Sequence, residues 1–144
     1  DSVLSARCLS SSVRASSCEA MSQMPSWVAA TTMAEVRGAS KEHRGVYCAA
    51  TSPATAVFAT RADEVFAIDA ACPHAGHKLS SGHCVDPSDI EDLLPGAGVV
   101  VSCPAHSYIY DLRSGDCVSA IGGGRGRCVK RPVKVLDDGT ILVR

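Results

Sequence analysis

Two short stretches carry the residues with metal-binding chemistry, Cys72-Pro73-His74 and Cys103-Pro104-Ala105-His106. Each offers one thiol and one imidazole, so together they supply four soft or borderline ligands, enough for one metal centre. Zinc sites more often pair Cys-x2–4-Cys with His-x3–5-His, a spacing that neither stretch has. A structural zinc-binding module stays open as an alternative, because two Cys and two His can bind Zn²⁺ tetrahedrally.

A mixed set of this kind suits a [2Fe–2S] cluster in which two thiolates hold one iron and two imidazoles hold the other. The surrounding pattern resembles the small Rieske proteins, which include Rieske ferredoxins and single-domain proteins like the nitrite reductase small subunit. The resemblance covers most of residues 26–143. It depends on the following residues: Cys72-Pro73-His74-Ala75-Gly76, Leu79, Gly82, Cys103-Pro104-Ala105-His106, Tyr110-Asp111-Leu112 and Gly115.

The resemblance implies a ligand set and a function. Cys72 and Cys103 would bind the inner iron as thiolates, and His74 and His106 would each bind the outer iron through one ring nitrogen. The implied function is one-electron transfer, with no catalysis by this chain alone. A redox-protein donor (a reductase) and an acceptor (an oxygenase or reductase) are expected to dock near the two histidines. The alternative within this class is a small subunit of a larger reductase or oxygenase system.

The loop residues also bear on the reduction potential. Two imidazoles in place of two thiolates raise it to about −150 to +300 mV, against about −400 mV for plant-type ferredoxins. High-potential relatives carry an extra Cys in each loop, joined by a disulfide, and a Ser two residues after the second His. Here His77, Ala105 and Tyr108 stand at the corresponding positions. We therefore expect a potential at the low end of the range, and we expect His77 at the loop surface rather than among the ligands.

Short runs of β-branched and aromatic residues, bounded by turn residues, predict an antiparallel all-β domain. The resemblance implies a Rieske-type sandwich or barrel of about ten short strands. It would include a small cluster-binding subdomain with loops 72–84 and 103–111. We predict one short helix in the acidic insert 86–94, where Asp86 suits the N-cap and Pro87 the first helical position. The polar segment 35–42 is expected to be a connection with a turn at Gly38.

Composition limits the remaining possibilities. The chain of 144 residues has a net charge of −1, which gives no reason to expect a nucleic-acid partner. No apolar run approaches the length of a transmembrane anchor. Ser and Arg in residues 1–24 indicate a disordered or transit-like tail, which leaves 25–144 for the Rieske domain. The expected compartment is the cytoplasm, or a chloroplast or mitochondrion if the tail is a transit peptide, and not the secretory route. The six cysteines other than the two proposed ligands are expected to be free thiols: Cys8, Cys18, Cys48, Cys84, Cys117 and Cys128.

Overall fold

Ten short antiparallel strands form the framework of the described part of the chain. The structure is a computed structural model that describes residues 26–96, 98–119 and 126–144. The tail 1–24 and most of the glycine-rich loop 122–126 therefore lie outside the described residues. The strands are β1 Val28–Thr32, β2 Val46–Cys48, β3 Thr55–Ala59, β4 Val65–Asp69, β5 His83–Val85, β6 Val100–Ser102, β7 Ile109–Asp111, β8 Lys130–Arg131, β9 Val133–Val135 and β10 Thr140–Val143.

The strands form three sheets, with the orders β1-β10-β9, β2-β3-β4-β8 and β5-β6-β7. Strand β3 is buried along its whole length, because it lies between β2 and β4 in the four-stranded sheet and its side chains enter both apolar clusters. The first cluster surrounds the candidate ligands, and the second packs under the β1-β10-β9 sheet. The predicted all-β antiparallel architecture is confirmed, and the sheets of the described residues do not close into a barrel.

An α-helix that the sequence reading missed, α1, spans Met33–Ser40. It begins with a capping box: Glu35 N–H donates to Thr32 Oγ1 at 3.3 Å, and Thr32 N–H donates to Glu35 Oε2 at 3.1 Å. Met33 and Val36 are buried against the second apolar cluster. The prediction of a connection with a turn at Gly38 is therefore wrong, since two buried side chains hold this polar segment on the sheet.

The acidic insert contains the predicted helix in shortened form. Helix α2 spans Pro87–Ile90 and is followed by turns. Asp86 occupies the N-cap position, but its side chain makes no capping hydrogen bond. Arg61, at the turn between β3 and β4, instead forms ion pairs with Asp86 at 3.6 Å and Asp89 at 2.9 Å. The insert is thus tied to the neighbouring sheet by charge. Among the described residues, no helix has the length and apolar content needed to cross a bilayer.

Candidate metal centre

The two candidate ligand loops each contain a backbone turn with the same hydrogen-bond pattern. In the first, Cys72 N–H donates to His77 O at 2.8 Å, and Gly76 N–H donates to Cys72 O at 2.8 Å. In the second, Cys103 N–H donates to Tyr108 O at 2.7 Å, and Ser107 N–H donates to Cys103 O at 3.0 Å. The same fold of the backbone therefore holds a histidine at the second position after Cys72 and at the third position after Cys103.

A left-handed residue closes each of these turns, Gly76 at φ 75° and Ser107 at φ 56°. Glycine takes this conformation without steric cost, whereas a serine takes it only when the surrounding structure requires it. The second loop is held by its two strands, β6 before Cys103 and β7 after Tyr108, which pair with each other. Both loops therefore leave the protein core and return to it at fixed positions.

The four candidate ligands separate into a buried thiol pair and an outer imidazole pair. Cys72 and Cys103 are 2% and 1% exposed and belong to the same buried cluster. His74 is half-buried and His106 is exposed, and their ring centroids are 4.7 Å apart at an interplanar angle of 83°. Two sulfur donors on the inside and two nitrogen donors on the outside match the division that a Rieske cluster requires.

Hydrogen-bond donors surround the two sulfur atoms. Burial alone would raise the pKa of Cys72. Hydrogen bonds from the Tyr110 hydroxyl and from the backbone N–H groups of His74 and Ala75 outweigh this effect, so the pKa is lowered. Tyr110 Oη lies 3.4 Å from Cys72 Sγ. Burial raises the pKa of Cys103, and the neighbouring Cys72 raises it further, against the backbone N–H groups of Ala105 and His106. Two adjacent buried thiols cannot both ionise easily alone, but a bound cation stabilises both as thiolates.

One polar atom of the site lacks a partner. His74 Nδ1 is buried and makes no hydrogen bond within the described residues. A buried acceptor or donor without a partner costs about 1–3 kcal/mol, so an iron ligand at this nitrogen would account for its position. In the described part of the chain, no group of three His, Cys, Asp or Glu side chains is placed to hold a single metal ion.

The other histidines and cysteines near the site fall outside this donor set. His77 is exposed, as expected, with its ring centroid 5.7 Å from that of His106. His83 stacks on His43, with their ring centroids 4.7 Å apart. Burial, followed by the charge of Asp86, raises the pKa of the Cys84 thiol to about 12, which keeps it protonated. The four described cysteines outside the proposed ligand set form no disulfide, as predicted: Cys48, Cys84, Cys117 and Cys128. Cys8 and Cys18 lie outside the described residues.

Sequence reasoning missed three residues that support the loops. Tyr110 is fully buried and its hydroxyl lies beside the Cys72 sulfur, a contact that its place in the family pattern did not predict. Gly126 approaches the first loop so closely that a Cβ added to it would lie 2.8 Å from Pro73 Cβ. Cys128 is buried in the same apolar cluster as both ligand cysteines. In strand β7, Tyr110 is buried and its neighbours Ile109 and Asp111 are only half-buried. Because side chains alternate between the two faces of a strand, this alternation could have predicted that Tyr110 faces inward.

Comparison with known proteins decides the family. The family model for the Rieske [2Fe-2S] domain matches residues 26–135. This chain belongs to that family. Rieske domains bind a [2Fe–2S] cluster, in agreement with the donor set described above, and proteins that contain them are electron carriers or components of oxygenase and nitrite reductase systems.

Solved structures of two Rieske proteins share the fold of this chain. A protein assigned as an NADH-dependent nitrite reductase small subunit from Mycobacterium tuberculosis superposes with a TM-score of 0.64 at 22% identity, over 82% of this chain and 93% of that one. The ferredoxin of carbazole 1,9a-dioxygenase from Nocardioides aromaticivorans gives a TM-score of 0.61 at 22% identity, over 83% of this chain and 97% of that one.

A curated relative is much longer than the matched region. The chain is 28% identical over 89 residues to a cholesterol 7-desaturase from Hemicentrotus pulcherrimus. The match covers 62% of this chain and 17% of the desaturase. The shared part is therefore a minor fraction of that protein.

Proposed function

We propose that this chain transfers single electrons through a [2Fe–2S] cluster held by Cys72, Cys103, His74 and His106. The observation that carries the proposal is the division of the donors: two adjacent buried thiols, two imidazoles 4.7 Å apart, and an unpartnered buried nitrogen at His74 Nδ1. When bound, the cluster accepts and releases one electron. The thiolates would hold the inner iron and the imidazoles the outer iron, with Nδ1 as the ligating atom of His74.

The protein residues around the site keep water from the sulfur side and leave the imidazole side open. Leu79, Tyr110 and Leu112 are at most 1% exposed and pack in the same cluster as the two ligand cysteines. His106, in contrast, is exposed, and Tyr108 covers one side of His74 with a centroid distance of 4.5 Å. The short path for an electron therefore leaves through the imidazole edges. A donor and an acceptor protein would dock over His74 and His106.

The same chemistry serves a separate carrier and a component of a larger oxidoreductase. The carrier is the leading proposal, supported by the near-complete overlap with the dioxygenase ferredoxin, of which the chain covers 97%. The component role is the second candidate, supported by the match to a small part of a desaturase. In both cases the chain supplies electrons and a partner supplies the substrate site.

Metal and sulfide analysis of the purified protein tests the cluster. We expect about two iron ions and about two acid-labile sulfides per chain, with an EPR signal that appears on reduction by dithionite. The protein must be purified without oxygen, because loss of the cluster in air would mimic a negative result. Stoichiometric zinc without sulfide, after anaerobic purification, would support the structural zinc module instead.

Redox titration tests the proposed low potential. Tyr110 Oη near Cys72 Sγ is one hydrogen bond to sulfur, whereas the extra disulfide and serine of high-potential relatives are missing from the sequence. We expect a midpoint at the low end of about −150 to +300 mV. Tyr110→Phe should lower it further, by up to about 59 mV, which is tenfold in the equilibrium constant. A clearly positive midpoint at neutral pH would contradict the low-potential proposal.

A further inference from the structure

The outer residues of the two ligand loops form one surface, which we call the loop face. It consists of residues 73–78 and 104–107, all of them exposed except His74, which is half-buried. The ring centroid of His106 lies 4.7 Å from that of His74 and 5.7 Å from that of His77, so the two loops meet at their imidazoles. A partner that exchanges an electron through these imidazoles has to cover this face.

The loop face carries one permanent charge, and that charge is positive. Neither loop contains an Asp or Glu, and Lys78 is the single Lys or Arg in the two loops. The acidic residues that flank the first loop in the sequence are Asp69 and Asp86, and each has an arginine partner. Arg131 Nε donates to Asp69 Oδ1 at 2.6 Å. Arg61 Nε lies 3.6 Å from Asp86 Oδ2.

The Lys78 ammonium group lies over an aromatic ring instead of beside a carboxylate. Its Nζ is 4.3 Å from the centroid of the Tyr47 ring, and Tyr47 is 42% exposed. The backbone of Lys78 is held by a β-bridge to Ala71 at the base of the first loop. Lys78 forms no ion pair with a carboxylate of the described residues. Because the ring covers one side of the ammonium group, its remaining N–H donors can meet a carboxylate from outside.

We propose that the loop face is the docking surface for a redox partner that presents carboxylates opposite Lys78. The inference rests on the proposed function and deepens it, because it assigns a charge to the partner. The uncharged loop residues, such as Pro73 and Pro104, would pack around the path of the electron, with the ion pair of Lys78 at the rim. A basic partner would bring like charges together at Lys78, with no carboxylate in either loop to offset them.

Two one-electron oxidants of opposite charge test this inference in the holoprotein. Ferricyanide is an anion and stands in for the carboxylates of the partner, whereas tris(phenanthroline)cobalt(III) is a cation of equal charge number. Each takes one electron from the reduced cluster, which is thereby oxidised. A rim charge acts mainly on the association rate and its dependence on salt. The measurement is therefore the second-order rate constant by stopped flow, at low and at high ionic strength, on protein with a full cluster.

Three variants give the comparison its controls. Lys78→Gln removes the charge and retains a long polar side chain, and Lys78→Arg keeps the charge. Lys134→Gln makes the same change in net charge at an exposed lysine of β9, which belongs to a sheet from which neither ligand loop extends. At low ionic strength, we expect Lys78→Gln to react about threefold to tenfold more slowly with ferricyanide and correspondingly faster with the cobalt complex. Lys78→Arg and Lys134→Gln should match the wild type, and high salt should reduce all the differences.

Hexacyanochromate(III), a paramagnetic anion that does not oxidise the cluster, tests binding separately from electron transfer. It should broaden the NMR signals of the Tyr47 ring in the wild type and in Lys134→Gln, and much less in Lys78→Gln. Unchanged rate constants in Lys78→Gln, or a loss of rate that is equal in Lys134→Gln, would overturn the inference. A wild type that prefers the cobalt complex at low salt would point to a basic partner and would also overturn it. A wild type without iron and sulfide would instead refute the proposed function.

Discussion

Purified Cys103→Ala protein is expected to contain almost no iron and sulfide, and His106→Ala the same, where the wild type contains about two of each. Each substitution removes one of only four proposed donors, and the remaining three cannot complete the coordination of both irons. Loss at Cys103 also leaves the Cys72 thiol without the cation that stabilises its thiolate form. Iron and sulfide analysis after anaerobic purification measures this directly, with the visible absorption spectrum as a second readout.

Two control variants separate ligand loss from general damage. Cys48→Ala removes a buried thiol, 4% exposed against 1% for Cys103, from a residue that belongs to neither apolar cluster. His77→Ala removes an exposed imidazole whose ring centroid lies 5.7 Å from that of His106. Both controls are expected to retain a full cluster. A cluster that survived in Cys103→Ala, or one lost equally in His77→Ala, would show that the proposed ligand set is wrong.

The proposed ligand set follows from residue type and spacing alone, and it stays a prediction. Cys72, His74, Cys103 and His106 lie within two short motifs, and no other pair of stretches in the sequence combines a thiol and an imidazole in this order. The support around them could not be predicted in the same way. Tyr110 lies 38 residues from Cys72 in sequence, and its hydroxyl reaches the sulfur only because β7 follows the second loop directly. Such contacts depend on strand register, which a single sequence defines poorly.

The fold was predictable where hydrophobic patterning agreed with local propensity. The buried strand β3, Thr55–Ala59, and the final hairpin of β9 and β10 follow this rule. Helix α1 was missed because only Met33 and Val36 face the core, and Gly38 is a weak helix former. The signal was nevertheless present: Thr32 and Glu35 have the spacing of a capping box. In the acidic insert, the ion pairs of Arg61 with Asp86 and Asp89 replace the expected side-chain cap.

Gly126→Ala is expected to shorten the lifetime of the cluster by roughly tenfold, if the first ligand loop loses about 1.4 kcal/mol of stabilisation. Two effects contribute. Gly126 has a φ of 77°, which costs a residue with a side chain roughly 1–2 kcal/mol. The new Cβ would also lie 2.8 Å from Pro73 Cβ, next to Cys72, and overpacking of this kind typically costs about 1–3 kcal/mol. The rate of bleaching at a fixed temperature measures the lifetime.

Gly139→Ala separates the two effects, because it shares the first and lacks the second. Gly139 has a φ of 87° in the turn between β9 and β10, and a Cβ there would meet only Met33 Cβ at 3.8 Å, an ordinary contact. Both variants should therefore show a lower unfolding temperature, but only Gly126→Ala should release its cluster faster than the wild type. Equal bleaching rates in the two variants would mean that the contact with Pro73 does not hold the loop. A selective loss in Gly126→Ala would mean that residues 126–131 form a third support for the site, in addition to the two ligand loops.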